Sequence, residues 1–113
     1  MNPTDIALLI SAGVKEIQVY KKASVAFFSS GDELVSPKHD LKTGQVYASS
    51  MFMIKELIIN SGCSIKNFKI LKDNKTTIVN NLKNLKKVDL IITTGGVSVG
   101  KKDLIKHALN ELN

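Results

Sequence analysis

The chain has 113 residues, 43% of them hydrophobic, and its 16 basic and 10 acidic residues leave a formal charge of +6. That length suits one domain over residues 1–113, and the single cysteine, Cys63, excludes an internal disulfide framework. The absence of a bilayer-length apolar run or a basic leader points to the cytoplasm with no membrane partner, and the all-lysine basic set, without arginine or interleaved aromatics, points away from nucleic acid.

In chain order, the first expected element is a helix. Asn2 suits its cap and Pro3 its first turn, Ile6, Leu9 and Ile10 share a face, and Gly13 ends it. A short strand is expected at Ile17–Tyr20. Val25-Ala26-Phe27-Phe28, bounded by Ser24 and by Ser29-Ser30-Gly31, reads as a buried parallel strand. Residues 31–50, with Pro37, Gly44 and few apolar positions, read as a long loop. Met51, Ile54, Leu57 and Ile58 then repeat at helical spacing, with Ser49 or Ser50 as cap and Gly62 as stop. The stretch Ile65–Leu71 mixes polar and apolar residues as an outer strand would. Asn74 is placed to cap a helix whose apolar face is Ile78, Leu82 and Leu85. Val88–Thr93 is a third apolar strand, and Ile105, Ala108, Leu109 and Leu112 mark a last amphipathic helix.

Alternation of strands and helices calls for an α/β fold of three layers, helix, sheet and helix, around a mostly parallel sheet with right-handed crossovers. The two most apolar strands belong side by side, with the mixed strand outside the first, which gives the order 2-1-3. Winding reverses between the first and third strands, and open α/β sheets bind ligands at the carboxyl ends of the strands beside such a reversal. Three segments leave those ends: Ser30-Gly31-Asp32-Glu33, Leu71-Lys72-Asp73, and Thr94-Gly95-Gly96-Val97-Ser98-Val99-Gly100 through Asp103.

The last of these is the most informative stretch of the chain. An apolar run breaks into a glycine and hydroxyl turn and a helix then begins, so backbone N–H groups and a helix N-terminus face whatever lies above, a setting that suits an anion. Glu33, Asp73 and Asp103 come from the three strand ends beside this cradle. Carboxylates next to phosphates repel unless a divalent cation lies between them, and Mg²⁺ is commonly held by one or two carboxylates together with phosphate and water. Each acid also has an ordinary reading, as a solvated turn residue, a cap neighbour or a complement to a helix dipole. Convergence of three strand ends favours a Mg²⁺-assisted reaction on a phosphorylated ligand. His39 and His107 read as loop and helix-face residues, and Ser98, with no companion base, as a hydrogen-bond donor.

These residues carry a resemblance. Gly31-Asp32-Glu33-Leu34-Val35-Ser36-Pro37, then Leu41-Lys42-Thr43-Gly44-Gln45-Val46-Tyr47, and later Gly95-Gly96-Val97-Ser98-Val99-Gly100, closely resemble the molybdopterin molybdenumtransferases, the MoeA family that includes the C-terminal part of gephyrin. The likeness runs through essentially the whole chain. It implies the molybdopterin-binding fold shared with MoaB- and Mog-like proteins, and an activity in molybdenum cofactor biosynthesis: Mg²⁺-dependent hydrolysis of adenylylated molybdopterin with insertion of molybdate. By motif, the family's acidic positions fall on Glu33, Asp73 and Asp103, as catalytic and metal-binding residues. Gly31, Asp32, Ser49, Ser50, Thr94, Gly95, Gly96, Val97, Ser98 and Gly100 fall around the pterin.

The chain also departs from the family. Ala48-Ser49-Ser50 stands where Asp-Ser-Asn is usual, and Lys101-Lys102 precede Asp103. The family's other domains and its Pro-Gly-Lys-Pro and Gly-Leu-Pro-Gly-Asn-Pro turns have no counterpart. The expectation is therefore a homodimer or a complex with a separately encoded remainder. A non-catalytic molybdopterin-binding module, an inactive remnant of a split gene and an adenylyltransferase-like protein stay open as alternatives.

Overall fold

The computed structural model describes residues 1–85 and 87–95 and, beyond them, Ile105, Ala108 and Asn110, all three helical. Helix α1, Pro3–Ser11, opens on the expected cap. Asn2 Oδ1 accepts from the Asp5 backbone N–H at 2.9 Å, and Asp5 Oδ2 accepts from the Asn2 N–H at 2.8 Å, so two otherwise orphaned donors of the first turn are satisfied reciprocally. None of the helix's residues is buried. The strand expected at Ile17–Tyr20 does not form; residues 14–23 are irregular and exposed. Its β-branched and aromatic residues suit a strand, but no described strand lies beside them, and an extended segment without a ladder partner has nothing to hold it.

Strand β1, Ser24–Ser30, is buried at every position, with Val25, Ala26 and Phe27 fully inaccessible. It lies at the centre of a three-stranded parallel sheet between β4, Ser64–Leu71, and β5, Leu90–Thr94. In chain order these are the first, second and third long strands, so the order 2-1-3 is the observed one. A register shift opposite Val25 and Ala26 interrupts the β1–β4 ladder.

Alternation along β1 divides the core in two. Ala26 and Phe28 pack with Leu71, with Ile78, Val79 and Leu82 of α3 (Lys75–Lys83), and with Ile105 and Ala108. Val25 and Phe27 pack on the other face with Ala48 and with Met51 and Ile58 of α2 (Ser49–Asn60). Helices thus cover both faces of the sheet. Asn74 caps α3 as expected, its Oδ1 accepting from the Thr77 N–H at 3.0 Å.

Residues 31–50 carry more order than a loop. Leu34–Val35 (β2) and Val46–Tyr47 (β3) pair in parallel. This pairing moves the start of α2: Ala48, whose N–H donates to the Val35 carbonyl at 3.0 Å, is the N-cap, and no side chain caps the helix. The expected caps, Ser49 and Ser50, are instead exposed residues of its first turn. Among the described residues no helix is long and apolar enough to cross a membrane.

Candidate ligand-binding site

The carboxyl ends of β1, β4 and β5 meet in one place. From β4, the Leu71 carbonyl accepts from the Gly31 N–H at 3.2 Å, and the Asp73 N–H donates to Asp32 Oδ1 at 3.1 Å. From β5, Thr94 Oγ1 donates to Ser29 Oγ at 3.0 Å. Gly95 follows with φ +79°, and a Cβ there would overlap the Ser30 carbonyl oxygen. Only glycine combines that left-handed conformation with so close an approach of two chain segments. A turn that a sequence reading assigns to anion binding is therefore also the point at which β5 is clamped against the end of the central strand.

Of the expected site residues, the structure brings Gly31, Asp32, Glu33, Asp73, Thr94 and Gly95 to this junction. The Glu33 carboxylate folds back over Gly31, with its oxygens 2.8 and 2.9 Å from where a Cβ on Gly31 would stand. Asp32, Glu33 and Asp73 are all exposed. Ser49 and Ser50 are exposed residues of the first turn of α2, and neither is among the residues that meet at this junction. Gly96, Val97, Ser98, Gly100 and Asp103 lie outside the described residues, and so does His107. Among the described residues no three His, Cys, Asp or Glu side chains gather as metal ligands. Glu33 and Asp73 offer hard oxygen donors of the kind Mg²⁺ prefers, and the third acid of the expected set is Asp103.

Two features were not singled out from the sequence. The first is a hollow of about 350 Å³ on the β4 side of the junction, bounded by Gly31, Asp32, Ser36, His39, Gln45 and Lys72 over an apolar floor that includes Leu34 and Ile70. His39 thus lines a concave surface rather than an open loop; the available signal was the length of the 31–50 segment, since long connections in compact domains are commonly functional. The second is Ser30, 4% exposed, whose Oγ is buried without a hydrogen-bond partner among the described residues. A run of serines closing an apolar strand was the only hint.

A three-layer parallel α/β domain with its acids and glycines gathered at the strand ends beside a winding reversal is the architecture of a ligand-binding α/β protein. Residues 26–113 match the family described as probable molybdopterin binding domain, a molybdenum cofactor biosynthesis family, and the chain belongs to it. It is 34% identical over 113 residues to a molybdopterin molybdenumtransferase of Nostoc sp. and, over the same length, 34% identical to one of Haemophilus influenzae. Each alignment takes in 99% of this chain but only 26% and 28% of the relative, so the chain spans about a quarter of the length of the curated relatives it matches.

Among solved structures, a MoeA molybdopterin biosynthesis protein from Pyrococcus horikoshii superposes with a TM-score of 0.85 at 26% identity, over 99% of this chain and 28% of that one. A molybdenum cofactor biosynthesis protein B shares the fold, with a TM-score of 0.61 at 23% identity, over 84% of this chain and 55% of that one.

Proposed function

We propose that residues 1–113 act as one molybdopterin-binding domain that holds adenylylated molybdopterin at the carboxyl ends of β1, β4 and β5 and takes part, in the cytoplasm, in Mg²⁺-dependent insertion of molybdate. The observation that carries this reading is the junction itself. Gly95 is forced against Ser30, Asp32 ties the β4 end to the β1 end, and Glu33 stands over Gly31, so the acids and the start of the glycine-rich segment share one surface.

In this reading the backbone N–H groups of the Gly95–Gly100 segment and the Ser98 hydroxyl bind the ligand's phosphate. Thr94, Gly96, Val97, Ser49 and Ser50 border the pterin. Glu33, Asp73 and Asp103 hold Mg²⁺, which supplies charge neutralisation between the carboxylates and the phosphates when bound. Molybdate enters as a substrate.

Titration calorimetry with adenylylated molybdopterin tests binding: heat that saturates with one ligand per chain is expected, and no heat with the folded wild-type chain at millimolar concentration overturns the reading. The metal set is tested by Glu33→Gln and Asp103→Asn. Each is expected to abolish the Mg²⁺ dependence of ligand binding, and Glu33→Gln to leave the thermal midpoint close to that of the wild type, because the exposed Glu33 carboxylate contributes little to packing. Unchanged Mg²⁺ dependence in both variants removes the assigned acids.

The partner is a second copy of this chain or a separately encoded chain. One edge of β5 is paired with β1, no described strand pairs the other, and Leu90 and Ile91 are 49% and 38% exposed. An open apolar edge favours pairing with another chain. Sedimentation at micromolar concentration is expected to show self-association; a cooperative monomer at that concentration, unaltered by Ile91→Lys, rules out the homodimer.

A further inference from the structure

We propose that Ser30 is a ligand-binding residue, its hydroxyl donating a hydrogen bond to a phosphate oxygen seated between the Gly31 and Gly95 turns. The proposal rests on the molybdopterin reading above and goes beyond the residues that the motifs assign.

β1 buries three serines, and their hydroxyls fare differently. Ser24 Oγ donates to Asp89 Oδ2 at 2.7 Å, and Ser29 Oγ accepts from Thr94 Oγ1 at 3.0 Å. Ser30 Oγ is just as deeply buried and has no partner among the described residues. A buried hydroxyl without a partner is costly to the folded state, and folded proteins satisfy the large majority of such groups. The fold does not ask for one here. By strand alternation Ser30 lies on the face of Ala26 and Phe28, against which Ile105 and Ala108 pack, and a small apolar side chain would continue that pattern.

The position of the hydroxyl supplies the reason for keeping it. A Cβ on Gly95 would stand 3.3 Å from Ser30 Oγ, so the hydroxyl lies beside Gly95, where the chain leaves β5. On the other side, the Ser30–Gly31 peptide leads into the turn over which the Glu33 carboxylate now folds. An anionic oxygen that replaced that carboxylate over Gly31 would meet an O–H donor that no acceptor among the described residues has claimed. A hydrogen bond to a charged acceptor away from bulk water is stronger than one between neutral groups, which makes a serine at this depth more useful to a phosphate than a surface hydroxyl would be.

The experiment compares the wild-type chain with Ser30→Ala and Ser30→Thr, reading thermal unfolding without ligand and calorimetric affinity for adenylylated molybdopterin. Ser30→Ala is expected to unfold at the same temperature as the wild type or higher, and to bind about tenfold more weakly. Ser30→Thr, which keeps the donor, is expected to bind within about threefold of the wild type. Two results overturn the proposal: equal affinity of Ser30→Ala and wild type, or a lowered midpoint for Ser30→Ala, which would show that the hydroxyl serves the fold. If the wild type itself gives no binding, the molybdopterin reading fails and this assignment with it, whereas wild-type binding with an indifferent alanine variant removes the Ser30 assignment alone.

Discussion

The two ends of β1 are built on opposite principles. At the amino end, Asp89 Oδ2 accepts from both the Ser24 N–H and the Ser24 hydroxyl at 2.7 Å, while the Asp89 N–H donates back to the Ser24 carbonyl at 2.9 Å, so the strand's entry is tied to the start of β5 and its polar groups are matched. At the carboxyl end a backbone clash is avoided only by Gly95, an acidic side chain folds over a glycine, and a buried hydroxyl has no partner among the described residues. One end is satisfied and the other is not, although both belong to a strand buried along its whole length. The lesson is that burial does not distinguish structural from functional polar groups here; satisfaction does. An unmatched hydroxyl, that of Ser30, at one end of an otherwise well-matched strand marks where the molecule keeps capacity for something outside itself.

The comparison presupposes that the middle of β1 carries the fold, and the largest effect tests that. Phe27 is fully buried and tilted against Phe68, with ring centroids 5.8 Å apart. Phe27→Ala is expected to lower stability by about 3–5 kcal/mol in denaturant titration. A loss under about 1 kcal/mol would mean that the core is loose enough to collapse around the change, and that the contrast between the strand's ends has no rigid centre to refer to.

Gly95→Ala comes next. The added methyl meets backbone at Ser30 and the residue must hold a positive φ, so a loss of at least about 2 kcal/mol is expected, together with loss of pterin binding. If the variant is as stable as the wild type and binds equally, β5 is not clamped at its carboxyl end, and the claim that the site's geometry depends on that approach is wrong. Away from both ends, Asn74→Ala removes the cap of α3 and is expected to cost about 1 kcal/mol without altering affinity, which calibrates an ordinary structural polar group against those of the site.

The sequence made the sheet order, the three long strands, the Asn2 and Asn74 caps and the converging strand ends legible because each rests on a local pattern: an apolar run, a cap residue at fixed spacing, a glycine at the end of a periodic stretch. What it did not disclose depended on partners distant in the chain. Ile17–Tyr20 has strand composition but no described strand to pair with. Ser49 and Ser50 have cap chemistry, yet the pairing of β2 with β3 hands the capping position to Ala48. Ser30 reads as the polar end of a strand, and only the approach of Gly95, sixty-five residues later, shows that its hydroxyl is enclosed without a partner among the described residues. The motif residues Gly96 to Gly100 and Asp103 rest on the sequence alone.

The smallest expected effect belongs to the satisfied end and concerns acid. The hydrogen bonds from Ser24 to Asp89, first from its hydroxyl and then from its backbone N–H, hold the Asp89 carboxyl below its ordinary value against a smaller opposing effect of desolvation, and Lys21 and Lys87 add to the lowering. A carboxylate whose folded-state pKa is depressed contributes stability that is present above the unfolded value and lost as pH falls through the folded one. The contribution is therefore complete at neutral pH, unchanged down to the upper edge of the ordinary carboxylate range, and lost only below it. Asp89→Asn is expected to shift the thermal midpoint down by a few degrees or less at pH 7 and to flatten the acid limb of the stability profile, while leaving ligand affinity untouched, because Asp89 lies at the end of the strand away from the site. A variant with a full acid limb, or one whose pterin affinity falls while its midpoint holds, would show that the two ends of β1 are coupled rather than divided between fold and function.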